Sequence, residues 1–400
     1  MKYLFLGCFL EPSQHYYIVE KLHAAVTVSA TTFQKAFLSG YNNKERKPDV
    51  IINAPDIGSW PKRCDGIYIP ASQSEYCGII CENVGYYNVT YLKQWSILFS
   101  LKKKLKEWFN ENKDEEVVII LYSVLYPYLK AAVDIKNEYP NVRICCIVLD
   151  LPEYFGDNNS LLFKMLSGDS HKIYDLVRNI DSFVLLTKYM KAPLNMGDRP
   201  WMLMEGIYEP REFRAVKKQP KTILYTGKLD ARFGIHELVD NFSKLDDSNY
   251  RLWICGNGLD RDYVENKAKE DSRIIYYGQV KQERVFEMQR EASLLINPRK
   301  PEGEYTKYSF PSKTMEYMAS GTPTMMYRLP GMPEEYVPYV ALFKDSSDEE
   351  MARTMEEWLN KPQMELDAFG VKARDFIMNN KTADKQIDRF MNFIKDIYGE

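Results

Sequence analysis

The sequence predicts an α/β fold: two Rossmann-like domains facing across a cleft, with C-terminal helices. Three observations lead there. At 400 residues the chain is too long for one ordinary hydrophobic core. Apolar runs of strand length alternate with longer amphipathic stretches, the pattern of a parallel sheet covered on both faces. That alternation occurs twice, and "GIYEPREFRAVKKQP" between the two series has no apolar period and ends in a basic run and a proline.

The first series opens with "YLFLGC". The start "MKYLFLGCFLEP" has one lysine, and an acid and a proline cut its apolar run short, so it reads as a buried strand and not as a signal segment. "DVIINAP", "EVVIILYS", "VRICCIVLD", "SFVLLT" and "WMLMEG" are further strands, with helical patterns at 89–112, 124–138 and 160–179. The second series runs strand "TILYTG", helix "GIHELVDNFSKL", strand "YRLWICGNG", helix "LDRDYVENKAKE", strand "RIIYYGQV", helix "KQERVFEMQREAS", strand "LLINPR". A short helix in "SFPSKTMEYMASG" and the strand "TPTMMYRL" follow, and residues 347–400 are mostly helical. The expected division is a first Rossmann-like domain at 1–205, a linker at 206–219, a second Rossmann-like domain at 220–380, and a helix at 381–400 placed back against the first domain.

The net charge of −3 argues against binding nucleic acid through phosphate neutralisation. No apolar run is long enough to span a bilayer. Seven cysteines, several inside strand-like runs, fit buried free thiols in the cytoplasm. Cys64, Cys77 and Cys81 lack a CxxC spacing and a nearby histidine, so no metal site is expected, and no cofactor.

Ligands of open parallel sheets bind beyond the carboxyl ends of the strands, so the chemistry is sought in those loops. Three loops of the second series qualify. "TGKLDARFG" offers Gly227 for close backbone approach and Lys228 and Arg232 beside a helix start, an anion site or a solvated turn. "CGNGLDRD" has a GxG with Gly256 and Asn257, but Arg261 stands where a dinucleotide fingerprint needs its third glycine. "NPRKPEGEYTKYSFPSK" carries Arg299 and then Pro311, which suits a first helical turn. Ser312 and Lys313 share that turn, Glu316 follows about one turn on, and Gly321 with Pro323 ends the helix. Amides and a lysine suit a diphosphate, and a carboxylate a turn away suits the hydroxyls of a ribose. An ordinary helix with a surface glutamate has the same sequence.

"SKTMEYMASGTPTMM", "YTGKLDARFGIHELVDNF" and "RLWICGNG", in this order and spacing, resemble glycosyltransferase family 4 of the GT-B fold over about residues 220–330. In the first half only "VLDLPEY" and "VLLTKYM" are loose echoes. The resemblance implies a sugar-nucleotide donor, with UDP as the family's usual nucleotide, a saccharide or lipid-linked acceptor held by the N-terminal half, and metal-independent transfer with retention. It places Glu316 on the ribose, Lys228 where the family has a phosphate-binding arginine, and Ser312 and Lys313 at the distal phosphate. The family lysine five residues after Lys228 falls on Phe233, so Arg232 is the nearest substitute. The upstream glutamate, eight positions before Glu316, falls on Tyr308, which leaves Glu302 or Glu304 for the sugar hydroxyls.

Cations aimed at a leaving diphosphate act most strongly in the transition state, which makes Lys228, Arg232 and Lys313 candidate catalytic groups. Asp150, ending "CCIVLD", can orient or deprotonate an acceptor hydroxyl, or belong to a plain turn. His15, after the first strand, is a further acceptor-side candidate. Residues 95–109, "WSILFSLKKKLKEWF", read as a domain helix with a solvated basic face or as a membrane-surface helix. A UDP-sugar epimerase of the same shape and a non-catalytic nucleotide-sugar-binding subunit are the competing readings.

Overall fold

The computed structural model describes residues 1–154, 170–212 and 215–399. The chain forms two compact units, Met1–Ile207 with Ala383–Glu400, and Tyr208–Thr382.

The strands of the first unit are β1 (Lys2–Gly7), β2 (Val50–Asn53), β3 (Tyr68–Ile69), β4 (Ser72–Tyr76), β5 (Ile79–Asn83), β6 (Tyr86–Tyr87), β7 (Val117–Tyr122), β8 (Val142–Val148), β9 (Ser182–Leu185) and β10 (Trp201–Leu203). Eight of them form one sheet in the order β10-β9-β8-β7-β1-β2-β5-β4, while β3 and β6 make a separate two-stranded ribbon. Every pair in the large sheet is parallel except the edge pair β4–β5. The central β7 is buried at all six positions, as a strand covered on both faces must be. The edge β4, "SQSEY", alternates half-buried and exposed residues. Its turn to β5 uses positive φ at both Cys77 and Gly78, as a two-residue hairpin turn requires.

The helices of this unit include α1 (Val28–Ser39), α2 (Lys93–Glu111), α3 (Tyr126–Glu138) and α4 (Ser170–Val177). The helical pattern read at 160–179 lies partly outside the described residues. α2 buries Ile97, Leu98, Leu101, Leu105 and Phe109, a spacing of three and four that makes one apolar stripe. Full burial of such a side chain contributes about 1.5–3 kcal/mol. Its basic face is paired within the unit: Lys102 with Asp134 (2.7 Å), Lys104 with Glu82 (3.1 Å) and Lys106 with Glu138 (2.7 Å). The last helix, Ala383–Tyr398, returns to this unit, where Phe390 meets Phe37 edge-on at 5.1 Å and Lys44 pairs with Asp388 at 2.6 Å.

The second unit runs β11 (Gln219–Thr226), α5 (Ile235–Ser243), β12 (Arg251–Cys255), α6 (Arg261–Glu270), β13 (Ile274–Tyr276), α7 (Gln282–Glu291), β14 (Ala292–Asn297), α8 (Ser312–Ala319), β15 (Thr324–Tyr327), β16 (Ala341–Phe343), α9 (Asp348–Leu359) and α10 (Gln363–Asn380). Its six strands are all parallel, in the order β13-β12-β11-β14-β15-β16. Counted within the unit this is 3-2-1-4-5-6, the doubly wound order, with its reversal between β11 and β14. The core on one face is built by Ile223, Leu252, Ile254, Leu294 and Ile296 with Leu238, Val239 and Phe242 of α5. Leu224, Leu295, Met288 and Tyr317 fill part of the other.

Candidate functional site

The reversal between β11 and β14 opens a crevice at the carboxyl ends of those two strands, where doubly wound sheets bind ligands. A cavity of about 270 Å³ lies there. Its lining comes from the end of β11 (Tyr225, Thr226, Gly227, Lys228), from Phe233, from the end of β14 (Ile296, Asn297, Arg299) and from the start of α8 (Pro311, Ser312, Lys313, Tyr317).

The loop after β11 is held by its own backbone and by the loop after β12. Tyr225 donates its hydroxyl to the Lys228 carbonyl at 2.8 Å, and the Leu229 amide donates to the Asn257 carbonyl at 3.0 Å. The two glycines of the GxG have a packing reason. Gly256 has φ +146°, and a Cβ there would stand 1.8 Å from the Gly227 carbonyl oxygen. A Cβ on Gly258 would stand 2.0 Å from the Leu229 carbonyl oxygen. Gly256 and Asn257 thus abut the phosphate-loop candidate, and neither lines the cavity.

The approach to α8 follows from "FPSK". Phe310 precedes the cap and packs in one apolar cluster with Met315 of the first turn and a half, which sets the direction of the helix. Pro311 is the cap residue, and no side chain caps the first turn. The Thr314 amide donates to the Pro311 carbonyl at 2.9 Å, which leaves the Ser312 and Lys313 amides at a cavity that these two residues line. Gly321, at φ +79°, terminates the helix as expected. Tyr317 ties the end of β11 to α8. Its hydroxyl accepts from the Thr226 amide at 2.8 Å and donates to the Thr226 carbonyl at 3.0 Å.

Three cations and no carboxylate stand among the lining residues: Lys228, Arg299 and Lys313. Lys228 is exposed, and its charge is felt by the nearby Asp230 carboxylate. Lys313 has one ionic neighbour, Glu316 at 3.9 Å. The Arg299 guanidinium lies over the Tyr305 ring, 4.6 Å from its centroid, and donates to the Ser309 hydroxyl at 3.0 Å. Its Nε is buried without a partner. Phe233, at the position where the resemblance expects a lysine, turns its ring to the cavity, and Arg299 supplies a cation from the neighbouring strand end. Arg232 is not among the lining residues. Asp230 clasps it through Nε at 3.0 Å and Nη2 at 2.7 Å. These hydrogen bonds from Arg232 pull the Asp230 carboxyl down to about 2.

Glu316 lies beside the cavity and accepts from Gln289 Nε2 at 2.6 Å. Glu304 stands on a short 3-10 turn, mostly exposed, 3.5 Å from the Tyr308 hydroxyl and 3.9 Å from Lys307. Glu302 is exposed in the same loop. Neither of these two glutamates lines the cavity.

In the first unit, Asp150 follows β8 and His15 follows β1, so both are placed at carboxyl ends of strands. His15 is exposed. The Asp150 side chain is accessible, yet desolvation by the protein around it raises its carboxyl above the ordinary range. A raised carboxyl is a better proton acceptor for a hydroxyl.

A second cavity, about 640 Å³, lies at the amino ends of β12 and β13, beside Arg251 and Arg273. Its charges answer one another: Arg273 pairs with Asp271 at 2.8 Å, and Lys267 lies within 3.9 Å of Glu270. That makes it a poor anion site despite its size. The cysteines are free thiols, and burial pushes Cys81 and Cys145 up to about 12 and Cys255 to about 11. Among the described residues no group of His, Cys, Asp and Glu could hold a metal, and no helix is long and apolar enough to cross a membrane.

The family model of glycosyl transferases group 1 matches residues 209–376, nearly the whole of the second unit. No curated protein matches the sequence. Solved structures do match in fold. Sucrose-phosphate synthase from Thermosynechococcus elongatus superposes with a TM-score of 0.63 at 13% identity, over 99% of this chain and 100% of that one. HepE of Anabaena in complex with UDP gives 0.59 at 12% identity, over 98% and 100%. A TarM mutant of S. aureus, in complex with fondaparinux, α-GlcNAc-glycerol and UDP, gives 0.52 at 13% identity, over 77% of this chain and 59% of that one. The chain therefore has the GT-B type of α/β fold, built from parallel-sheet Rossmann-like units with C-terminal helices. The family match supports a glycosyl-transfer role for it.

Proposed function

We propose that the protein is a retaining glycosyltransferase that moves a hexosyl unit from a UDP-sugar to a saccharide or lipid-linked saccharide, at the cytoplasmic face in cell-surface polysaccharide synthesis. One observation carries the reading: a crevice at the doubly wound reversal point joins an uncapped helix start to three cations and no carboxylate. Such a site suits a diphosphate. The UDP complexes of HepE and TarM, which share the fold, support the choice of nucleotide.

In the reaction the bond from the anomeric carbon to the diphosphate oxygen breaks, and its electron pair stays on the diphosphate. The acceptor hydroxyl oxygen forms the new bond and gives up its proton. Lys228, Lys313, Arg299 and the α8 amides are arranged to receive the charge that develops on the leaving group, the point at which fixed donors and cations act most strongly. With three cations and no carboxylate at the diphosphate, this charge is met without a divalent ion. Glu316 takes the ribose hydroxyls. Asp150 and His15 belong to the acceptor side, with Asp150 as candidate base. Glu302 or Glu304 takes the hydroxyls of the donor sugar in place of the carboxylate that Tyr308 does not provide. Residues 95–109 are read as a domain helix with a solvated basic face, a reading supported by the pairing of Lys102, Lys104 and Lys106 inside their own unit.

The test is a panel of UDP-, GDP- and ADP-sugars assayed for nucleotide release, with and without saccharide and lipid-diphosphate acceptors. The expected result is release from one UDP-sugar that an acceptor accelerates. Conversion of the sugar with no acceptor would make the protein an epimerase. Binding without turnover under any condition would make it a non-catalytic subunit. Failure to bind any nucleoside diphosphate would end the reading.

A further inference from the structure

We infer that Gln289 is a positioning residue that sets the carboxylate of Glu316 for the ribose of the donor, an inference that rests on the donor reading above. Gln289 lies on α7, is 1% exposed, and reaches across to α8, where its Nε2 donates to Glu316 Oε1 at 2.6 Å. Lys313 Nζ, at 3.9 Å, also approaches Oε1. No partner is found for Oε2 among the described residues. The carboxylate is therefore anchored by one oxygen and presents the other.

The identity of the anchor matters. An arginine at 289 would engage both carboxylate oxygens and cancel the charge. A neutral amide fixes the orientation and leaves a full negative charge to accept hydroxyl hydrogen bonds. A glutamate side chain free to rotate would lose its rotamer freedom on each binding event, and the anchor removes that loss in advance. The pairing is also mutual, because a buried amide without an acceptor is costly. Gln289 is not among the residues that line the diphosphate-side cavity, so its effect should appear at the ribose alone.

Ribose recognition is isolated by comparing UDP with 2′,3′-dideoxy-UDP, with inorganic pyrophosphate as a probe of the diphosphate pocket. The unmodified protein should bind UDP at least about tenfold more tightly than the dideoxy compound, the size of one or two hydrogen bonds to a charged acceptor. In Gln289→Leu, UDP affinity should fall by about tenfold, while dideoxy-UDP and pyrophosphate affinities stay within about twofold, so the ratio approaches one. Gln289→Met, which keeps the length and is uncharged but loses the donor, should behave the same way and serves if the leucine variant does not fold. Glu316→Ala separates the two readings. If it leaves the ratio intact, the ribose assignment itself fails. If it abolishes the ratio while both Gln289 variants keep it, or if those variants weaken all three probes equally, the positioning role is overturned.

Discussion

Lys313→Ala is expected to slow donor turnover by about 100-fold or more while leaving the thermal midpoint of the protein nearly unchanged. The two halves of this expectation have separate causes. The Lys313 side chain is 44% exposed and its ionic neighbour is 3.9 Å away, so the folded state hardly depends on it. Exposed pairs of this kind contribute about 0–1 kcal/mol. The same ammonium stands on the first turn of α8, at a cavity whose lining residues include no carboxylate. When the sugar leaves, the diphosphate gains charge there, and loss of one fixed donor to a developing anion costs about 3–4 kcal/mol. Arg232→Ala is the matched comparison. Its guanidinium is already engaged by Asp230 and lies outside the cavity lining, so turnover should change by less than about threefold. Steady-state kinetics and a thermal melt of the two variants decide the matter. Equal losses in both would mean that the cations act through the general field and not at the crevice.

Gly256→Ala should destabilise the second unit by about 3 kcal/mol or more, one of the largest effects open to a single added methyl group. Its φ of +146° is closed to residues with a side chain, and the new Cβ would stand 1.8 Å from a backbone oxygen of Gly227. Backbone cannot swing aside as a flexible side chain does, so the loops after β11 and β12 must separate. Two consequences follow together: a fall in the unfolding midpoint of about 6–12 °C for a unit of this size, and weakened diphosphate binding as Gly227 and Lys228 shift. Denaturation with and without UDP measures both. A variant of unchanged stability would show that the loops are not in the contact described.

Much of this was legible in the chain. The apolar alternation announced β11 to β15 in sequence, because each is a short apolar run between turn signals. It did not announce β16, a three-residue strand among prolines, nor the β4–β5 hairpin. That edge is polar and half exposed, and its turn uses Cys77 where an asparagine would have been the signal. Lys228, Ser312 and Lys313 were legible because loop-and-helix-start patterns are local. Arg299 was visible as a cation, but not as one that lines the same crevice as Lys228, because that depends on β14 lying beside β11. The clasp of Arg232 by Asp230 is a local pair whose geometry no spacing rule supplies. Tyr317 and Gln289 were not legible at all. Each acts through hydrogen bonds to an element far away in sequence, and such contacts exist only once the sheet is assembled.

The most direct test of the central claim is a crystal structure of the protein soaked or grown with UDP. The account predicts the diphosphate within hydrogen-bond distance of the Ser312 and Lys313 amides and of the Lys228 ammonium, with the ribose turned toward Glu316. A nucleotide seated elsewhere, such as the cavity beside Arg251 and Arg273, with the β11–β14 crevice left empty, would contradict it.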